Sequence, residues 1–176
     1  DTEQHNFFDE PTRLFWLSGK RKGLPVVGYH GYYDTISFMR IKLGGLIPVV
    51  DQQSEAMFKA ETVTLLNDMC IFAPATLIDT AHLSWEPIDD TTCQVFFTNS
   101  GVTVSAQLHF NTDHQLVNFT SADRYDLSTG EPVEAVFSTP LSDYQTLNGR
   151  QVAHYGEAMY TYPNGEEFVY GRFTMR

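Results

Sequence analysis

One stretch of helical period stands in a chain that otherwise repeats every second residue, and that contrast limits the architectures open to it. Over residues 61–73 (ETVTLLNDMCIFA), Leu65, Leu66, Met69, Phe72 and Ala73 recur at three- and four-residue intervals. That spacing lines one side of a 3.6-residue helix, and the side must be buried. Pro74 has no amide hydrogen and pushes the residue before it out of helical dihedrals, so one main helix is expected over 58–73. PATLID then adds a helical turn with Pro74 at its start, where a missing donor costs nothing. Ser54, in the polar run 52–60, is placed to cap a short helix that leads into Glu61, and Asn67 and Asp68 mark the polar face of the main helix.

The rest reads as strands. RLFWLSG (13–19), LPVVGYHGYYD (24–34) and SFMRIKLGGLIPVVD (37–51) precede the helix, with Gly28 and Gly31 expected at a bulge or bend. After it, LSWEPI, TCQVFFT, VTVSAQLHF and QLVNFTSADRY are joined by short polar linkers, which predicts a four-stranded antiparallel meander over 83–125. In its third strand Val102, Val104, Ala106, Leu108 and Phe110 face one way, and Thr103, Ser105, Gln107 and His109 the other. In the fourth, Val117 and Phe119 share a face with Ser121, Asp123 and Tyr125, so apolar surface gives way to a polar end. Residues 126–132 read as a loop, VEAVFS (133–138) as a short strand, and TPLSDYQTLNGR (139–150) as turn-rich. The final 26 residues form a hairpin around Asn164 and Gly165.

These elements predict a mainly β fold of the α+β type: a strongly curved antiparallel sheet or half-barrel of about nine or ten strands. The helix and the turn after it are expected to cover the concave face. Residues 1–11 read as a tail or incoming arm and 12–176 as a single β-rich domain. The chain opens abruptly at DTEQHNFF and reads as a piece of something longer.

Charge narrows the partners. Eleven basic against twenty-two acidic residues give a formal charge of -11, which repels phosphate backbones and anionic headgroups. No nucleic acid is expected. Lys20, Arg21 and Lys22 read as a solvated hairpin tip. There is no apolar run long enough to span a bilayer as a helix. Cys70 and Cys93 read as free thiols acting as small hydrophobes, with a bridge geometrically possible, and neither fixes a compartment.

Motifs of chemistry are sparse. Neither a G-x-S-x-G elbow nor a phosphate loop is present, and none of the six histidines pairs with another at helical i, i+4 spacing, so no metal and no cofactor is expected. Asp68, Asp123 and Arg124 form a candidate polar site, in which a carboxylate facing arginine serves structure more often than catalysis. A hydrolase would need at least two of Asp68, His82, Asp123, Arg124 and His154 to converge.

Aromatic residues make up 14% of the chain, and such side chains line concave apolar sites as well as cores. A lipid or other apolar small molecule held between sheet and helix, by Leu65, Met69, Phe72, Trp85, Phe119 and Tyr125, is the leading expectation. Each buried methylene would stabilise such a complex by about 0.8 kcal/mol. The alternatives are an interlocked core without space, the hydrolase, and an interaction module whose exposed aromatic patches dock a protein partner.

VVGYHGYYD, MRIKLGGLIPVVD, ETVTLLNDMCIFAPATLID, SWEPIDD, VSAQLHF, LVNFTSADRY and YPNGEEFVYGRF together resemble a family of uncharacterised bacterial proteins known only as a domain of unknown function. The resemblance covers the chain from about Thr12 onward and implies no activity, substrate or site residue. It implies members with more amino-terminal sequence, some of it membrane-spanning. In architecture alone, a curled sheet roofed by a helix is similar to periplasmic lipoprotein carriers, which hold acyl chains.

Overall fold

The order of hairpins decides the topology: every strand pairs with its neighbour in sequence, except where one long helix intervenes. The structure, a computed structural model, describes residues 1–78, 81–127 and 131–175. Its backbone contacts fall into two units, Asp1–Glu61 and Thr62–Arg176.

The first unit is a five-stranded antiparallel meander of β1 (Thr2–Phe7), β2 (Thr12–Arg21), β3 (Leu24–Tyr33), β4 (Ile36–Leu43) and β5 (Ile47–Gln53). Residues 1–11 were expected as a tail or arm, but within them β1 pairs with β2 from Thr2↔Leu17 to Phe7↔Thr12. The basic cluster is the expected hairpin tip: Arg21 pairs with Leu24, and Lys22 and Gly23 both take positive φ, as a two-residue turn requires. At Gly31 an added Cβ would fall 2.7 Å from the Phe38 ring, so that glycine lets the aromatic lie flat on β3. On the same face Trp16 stacks on Tyr29 with centroids 5.0 Å apart.

Helix α1 (Glu55–Phe72) starts where Ser54 caps it. The Ser54 hydroxyl accepts from the Met57 amide at 3.1 Å, and its carbonyl from Phe58 at 3.0 Å. Ser54→Ala is therefore expected to destabilise by about 1 kcal/mol. Urea denaturation checks this, and an unchanged midpoint would contradict the cap. The helix ends at Phe72, before Pro74, and Pro74–Ile78 form the further tight turn that PATLID predicts. Asp79 lies outside the described residues.

Burial of α1 differs from expectation. Every residue from 60 to 70 is buried, including Thr62, Asn67 and Asp68, while Phe72 is 53% exposed. A helix enclosed on all sides leaves no solvated face. Thr, Asn and Asp at those positions read as polar surface only when the sequence is considered without its tertiary cover.

The second unit is a seven-stranded antiparallel sheet, order β12-β11-β10-β9-β8-β7-β6. The predicted meander is present as β6 (Leu83–Pro87), β7 (Thr92–Asn99), β8 (Val102–Phe110) and β9 (Leu116–Ser121). The alternation in β8 is realised: Val104, Ala106 and Leu108 are each 1% exposed. The segment expected to be turn-rich is instead β10 (Val136–Leu147), which pairs with β11 (Arg150–Thr161) through a turn at Asn148 and Gly149, both at positive φ. β12 (Glu167–Thr174) closes the order. In the last hairpin only Gly165, and not Asn164, takes positive φ, while Asn164 Oδ1 accepts from the Glu166 amide. Of the loop expected over 126–132, residues 128–130 lie outside the described residues.

The expectation of one curved sheet of nine or ten strands is thus corrected to twelve strands in two antiparallel sheets, with no closed barrel among the described residues. Two strands hidden in irregular-looking sequence, β1 and most of β10, account for the difference in number.

Candidate functional site

The residues expected to line a ligand site divide by exposure. Leu65 and Phe119 are fully buried and Met69 is 4% exposed, so these three are core side chains. Phe72 and Trp85 are exposed; Phe72 lies against Phe173 with centroids 6.2 Å apart, and Trp85 stands on the edge strand β6. The Tyr125 carbonyl accepts from the Tyr160 hydroxyl at 3.3 Å.

Two of the polar candidates, Asp123 and Arg124, have structural partners. Asp123 Oδ2 accepts from both the amide and the hydroxyl of Ser105, at 2.8 and 3.0 Å. Arg124 lays its guanidinium over the Phe137 ring, 4.2 Å from the centroid, and donates to the Tyr170 hydroxyl. Stacking of this kind suits arginine, whose planar cation is weakly hydrated. Asp68 is buried on α1. Burial, with Cys93 and Asp68 nearby, pushes the Cys70 thiol well above its ordinary range, the reverse of what a nucleophile needs. Both cysteines are free. His82, in the turn just before β6, and His154, on β11, belong to strands five places apart in the sheet, roughly 24 Å along it at about 4.8 Å per strand. Among the described residues no group of three or more His, Cys, Asp or Glu side chains is placed to hold a metal ion.

An acid–phenol pair lies just beyond the Asp123–Arg124 segment. The Tyr162 hydroxyl donates to Asp126 Oδ2 at 2.6 Å, and this bond to a carboxylate raises the phenol to about 12. The folded value lies above the ordinary one, so the pair supports the fold fully below the ordinary tyrosine range and loses that support as pH climbs toward 12. In a spectrophotometric titration of phenolate absorbance, Asp126→Asn should move one tyrosine downward. An unshifted titration would contradict the pairing.

The first unit brings together a cluster that sequence reasoning missed. Strand register places Arg13, opposite Tyr32, and His30, two residues from Tyr32, on one face of the sheet. Over that end of the face Phe58 of α1 stacks on Tyr32, centroids 5.0 Å apart. One turn on, Glu61 Oε2 accepts from Arg13 Nη1 at 3.1 Å and lies 3.5 Å from His30 Nε2. All three side chains are nearly buried, with exposures of 11%, 9% and 6% for Arg13, His30 and Glu61. Glu61 is the acid at the start of the helical pattern, but nothing local in sequence links it to residues 48 and 31 positions earlier.

Beyond this cluster the same sheet face turns aliphatic. Leu17, Gly28, Ile41 and Val50 form one cross-strand row, and Val26, Leu43 and Ile47 the next, because paired positions in an antiparallel sheet share a face. Leu17, Val26, Ile41, Leu43 and Val50 are half-buried, and Ile47 is 62% exposed. Gly28 contributes no side chain, and Leu17 and Ile41 approach over it.

Two antiparallel meanders, separated in sequence by one buried helix, define a mainly β protein. The chain belongs to the Family of unknown function (DUF6544), whose model matches residues 1–173, in line with the resemblance to an uncharacterised family read from its segments. No curated protein and no solved structure matches it.

Proposed function

We propose that the protein is a non-enzymatic binding protein for a lipid or another apolar molecule, which lies on the aliphatic part of the five-stranded sheet. The observation that carries this reading is the unfinished burial of that face. At one end, helix residues Phe58 and Glu61 cover Tyr32, Arg13 and His30. Past them, the rows through Ile41 and Leu43 keep apolar side chains half in solvent, where an apolar ligand lowers the free energy by removing their surface from water. The helix acts as a partial lid, and the ligand extends the cover.

Composition favours a single lipid molecule over a bilayer surface. A formal charge of -11 opposes anionic headgroups, and among the described residues no helix is long and apolar enough to cross a membrane. The hydrolase reading would have to rest on a pair other than His82 and His154, which stand at well-separated positions in the sheet.

Native mass spectrometry with saturated fatty alcohols of increasing length tests the proposal. Retained adducts should tighten by about 0.8 kcal/mol per added methylene over the length that the face covers. Ile41→Asp, which places a carboxylate in the middle of the face, should abolish retention while the far-UV circular dichroism stays unchanged. Absence of adducts at every chain length, or binding that ignores length, would overturn it.

A further inference from the structure

The face of the seven-stranded sheet turned away from its Val95, Phe97, Val104 and Leu108 core carries a second, chemically different feature. There β7 to β10 hold an open groove of about 300 Å³, lined by Gln94, Ser105, Gln107, Thr120, Ser121 and Val136 among others. Register explains the lining: Gln94 pairs with Gln107, Gln107 with Thr120, and Thr120 with Ser138, which sets amides and hydroxyls side by side across four strands. With strands about 4.8 Å apart, the ladder is roughly 14 Å wide.

No lining side chain is charged: Gln94, Ser105, Gln107, Thr120 and Ser121 supply polar groups, and Ala106, Ala122 and Val136 supply apolar surface between them. The Asp123 carboxylate at the rim already accepts twice from Ser105, and Ser121 donates to the Ser105 carbonyl at 2.7 Å. The carboxamides of Gln94 and Gln107 make no hydrogen bond to any described residue. One row along, Asn118 on the same face has a buried Oδ1 with no partner. Carboxamides supply a donor pair and an acceptor at once, which matches a ligand whose hydroxyls also donate and accept. Phe96, half-buried on this face and paired with Ser105, offers an apolar plate beside the polar row. An anion would find no cation among the lining residues, in a protein of formal charge -11.

We propose that this groove binds a neutral, hydroxyl-rich ligand of the saccharide class, with Gln94 and Gln107 as its hydrogen-bonding residues and Phe96 packing against a ring face. The site is independent of the aliphatic face in the first unit, and either can fail without the other.

The test is a titration of the whole chain, ¹⁵N-labelled, with maltose, cellobiose and chitobiose, followed by the side-chain NH₂ resonances of Gln94 and Gln107. At least one saccharide should shift both saturably, and Gln107→Leu should weaken that binding about tenfold. Gln107 is exposed, so its replacement leaves the fold intact, which the variant's backbone spectrum verifies. Gln94→Leu supplies a second variant with the same expected loss. No saturable shift with any of the three sugars would overturn the proposal, as would unaltered binding in both variants. A shift produced only by a Ser/Gln-rich peptide would also overturn it and mark the ladder as a peptide site.

Discussion

Glu61→Ala is expected to destabilise the protein by about 3–5 kcal/mol, the largest effect of any single change outside the apolar core. The glutamate accepts from Arg13 at 3.1 Å and lies 3.5 Å from His30, all three being nearly enclosed. Taking a guanidinium out of water is unfavourable by several kcal/mol, and the opposing carboxylate offsets that loss. Removal of the carboxylate takes away the opposing charge and leaves Arg13 its bond to the neutral Gln4 Oε1 at 2.9 Å, whereas removal of both charges leaves no cation to compensate. The double variant Arg13→Met/Glu61→Leu should therefore recover most of the lost stability, because apolar residues of similar volume often replace a buried pair at little expense. Urea denaturation of wild type, both single variants and the double variant closes the cycle. A loss below about 1 kcal/mol in Glu61→Ala, the range of a surface pair, would mean that water reaches the cluster.

Gly156→Ala should destabilise by about 1–3 kcal/mol through overpacking. A Cβ at this position would lie 2.2 Å from Phe173 Cζ and 2.9 Å from Leu141 Cδ2, well inside van der Waals contact. The Phe173 ring lies across β11 because Gly156, its register partner, has no side chain. Phe173→Leu in the same chain should relieve most of the strain, since the shorter side chain vacates the space that the methyl enters. Gly171→Ala on the adjacent strand is the control: its Cβ would meet Ala158 at an ordinary 3.6 Å, so thermal melting should show little change. Equal losses at the two glycines would show that the Phe173 ring is not the cause, since reduced chain entropy in the unfolded state favours the alanine variants.

Much of the fold was legible in the chain because its local signals agree with one another. Strict alternation in β8, with Ser-Gly and Asp-containing linkers on either side, fixes the meander that the register confirms. The helix stop at Pro74 follows from a missing amide hydrogen, whereas the short helix expected after Ser54 is the first turn of α1 itself, which runs unbroken from Glu55. β10 was hidden because Pro140, Asp143 and the Asn148-Gly149 pair all read as turn residues. Only Asn148-Gly149 is the hairpin turn, Asp143 bends within the strand at positive φ, and the ladder to β11 skips Thr139 and Pro140, where proline has no hydrogen to donate.

The candidate sites were less legible because they are assembled by register and not by motif. Arg13, His30 and Glu61 meet only once β2 pairs with β3 and the start of α1 lies on their face. Asp123 and Arg124, adjacent in sequence, engage a serine and an aromatic cluster. Leu65, Met69 and Phe119 satisfy any pattern for an apolar pocket, and the same pattern describes buried core side chains, a distinction that periodicity does not encode.

The proposed lipid function is tested most directly by locating a bound chain. With methyl-labelled protein and a fatty alcohol spin-labelled near its tail, paramagnetic broadening should fall most strongly on Val26, Ile41, Leu43 and Val50. Broadening spread evenly over the surface, or confined to the exposed methyls of Ile88 and Val133 in the second unit, would contradict the assignment of the five-stranded sheet as the binding face.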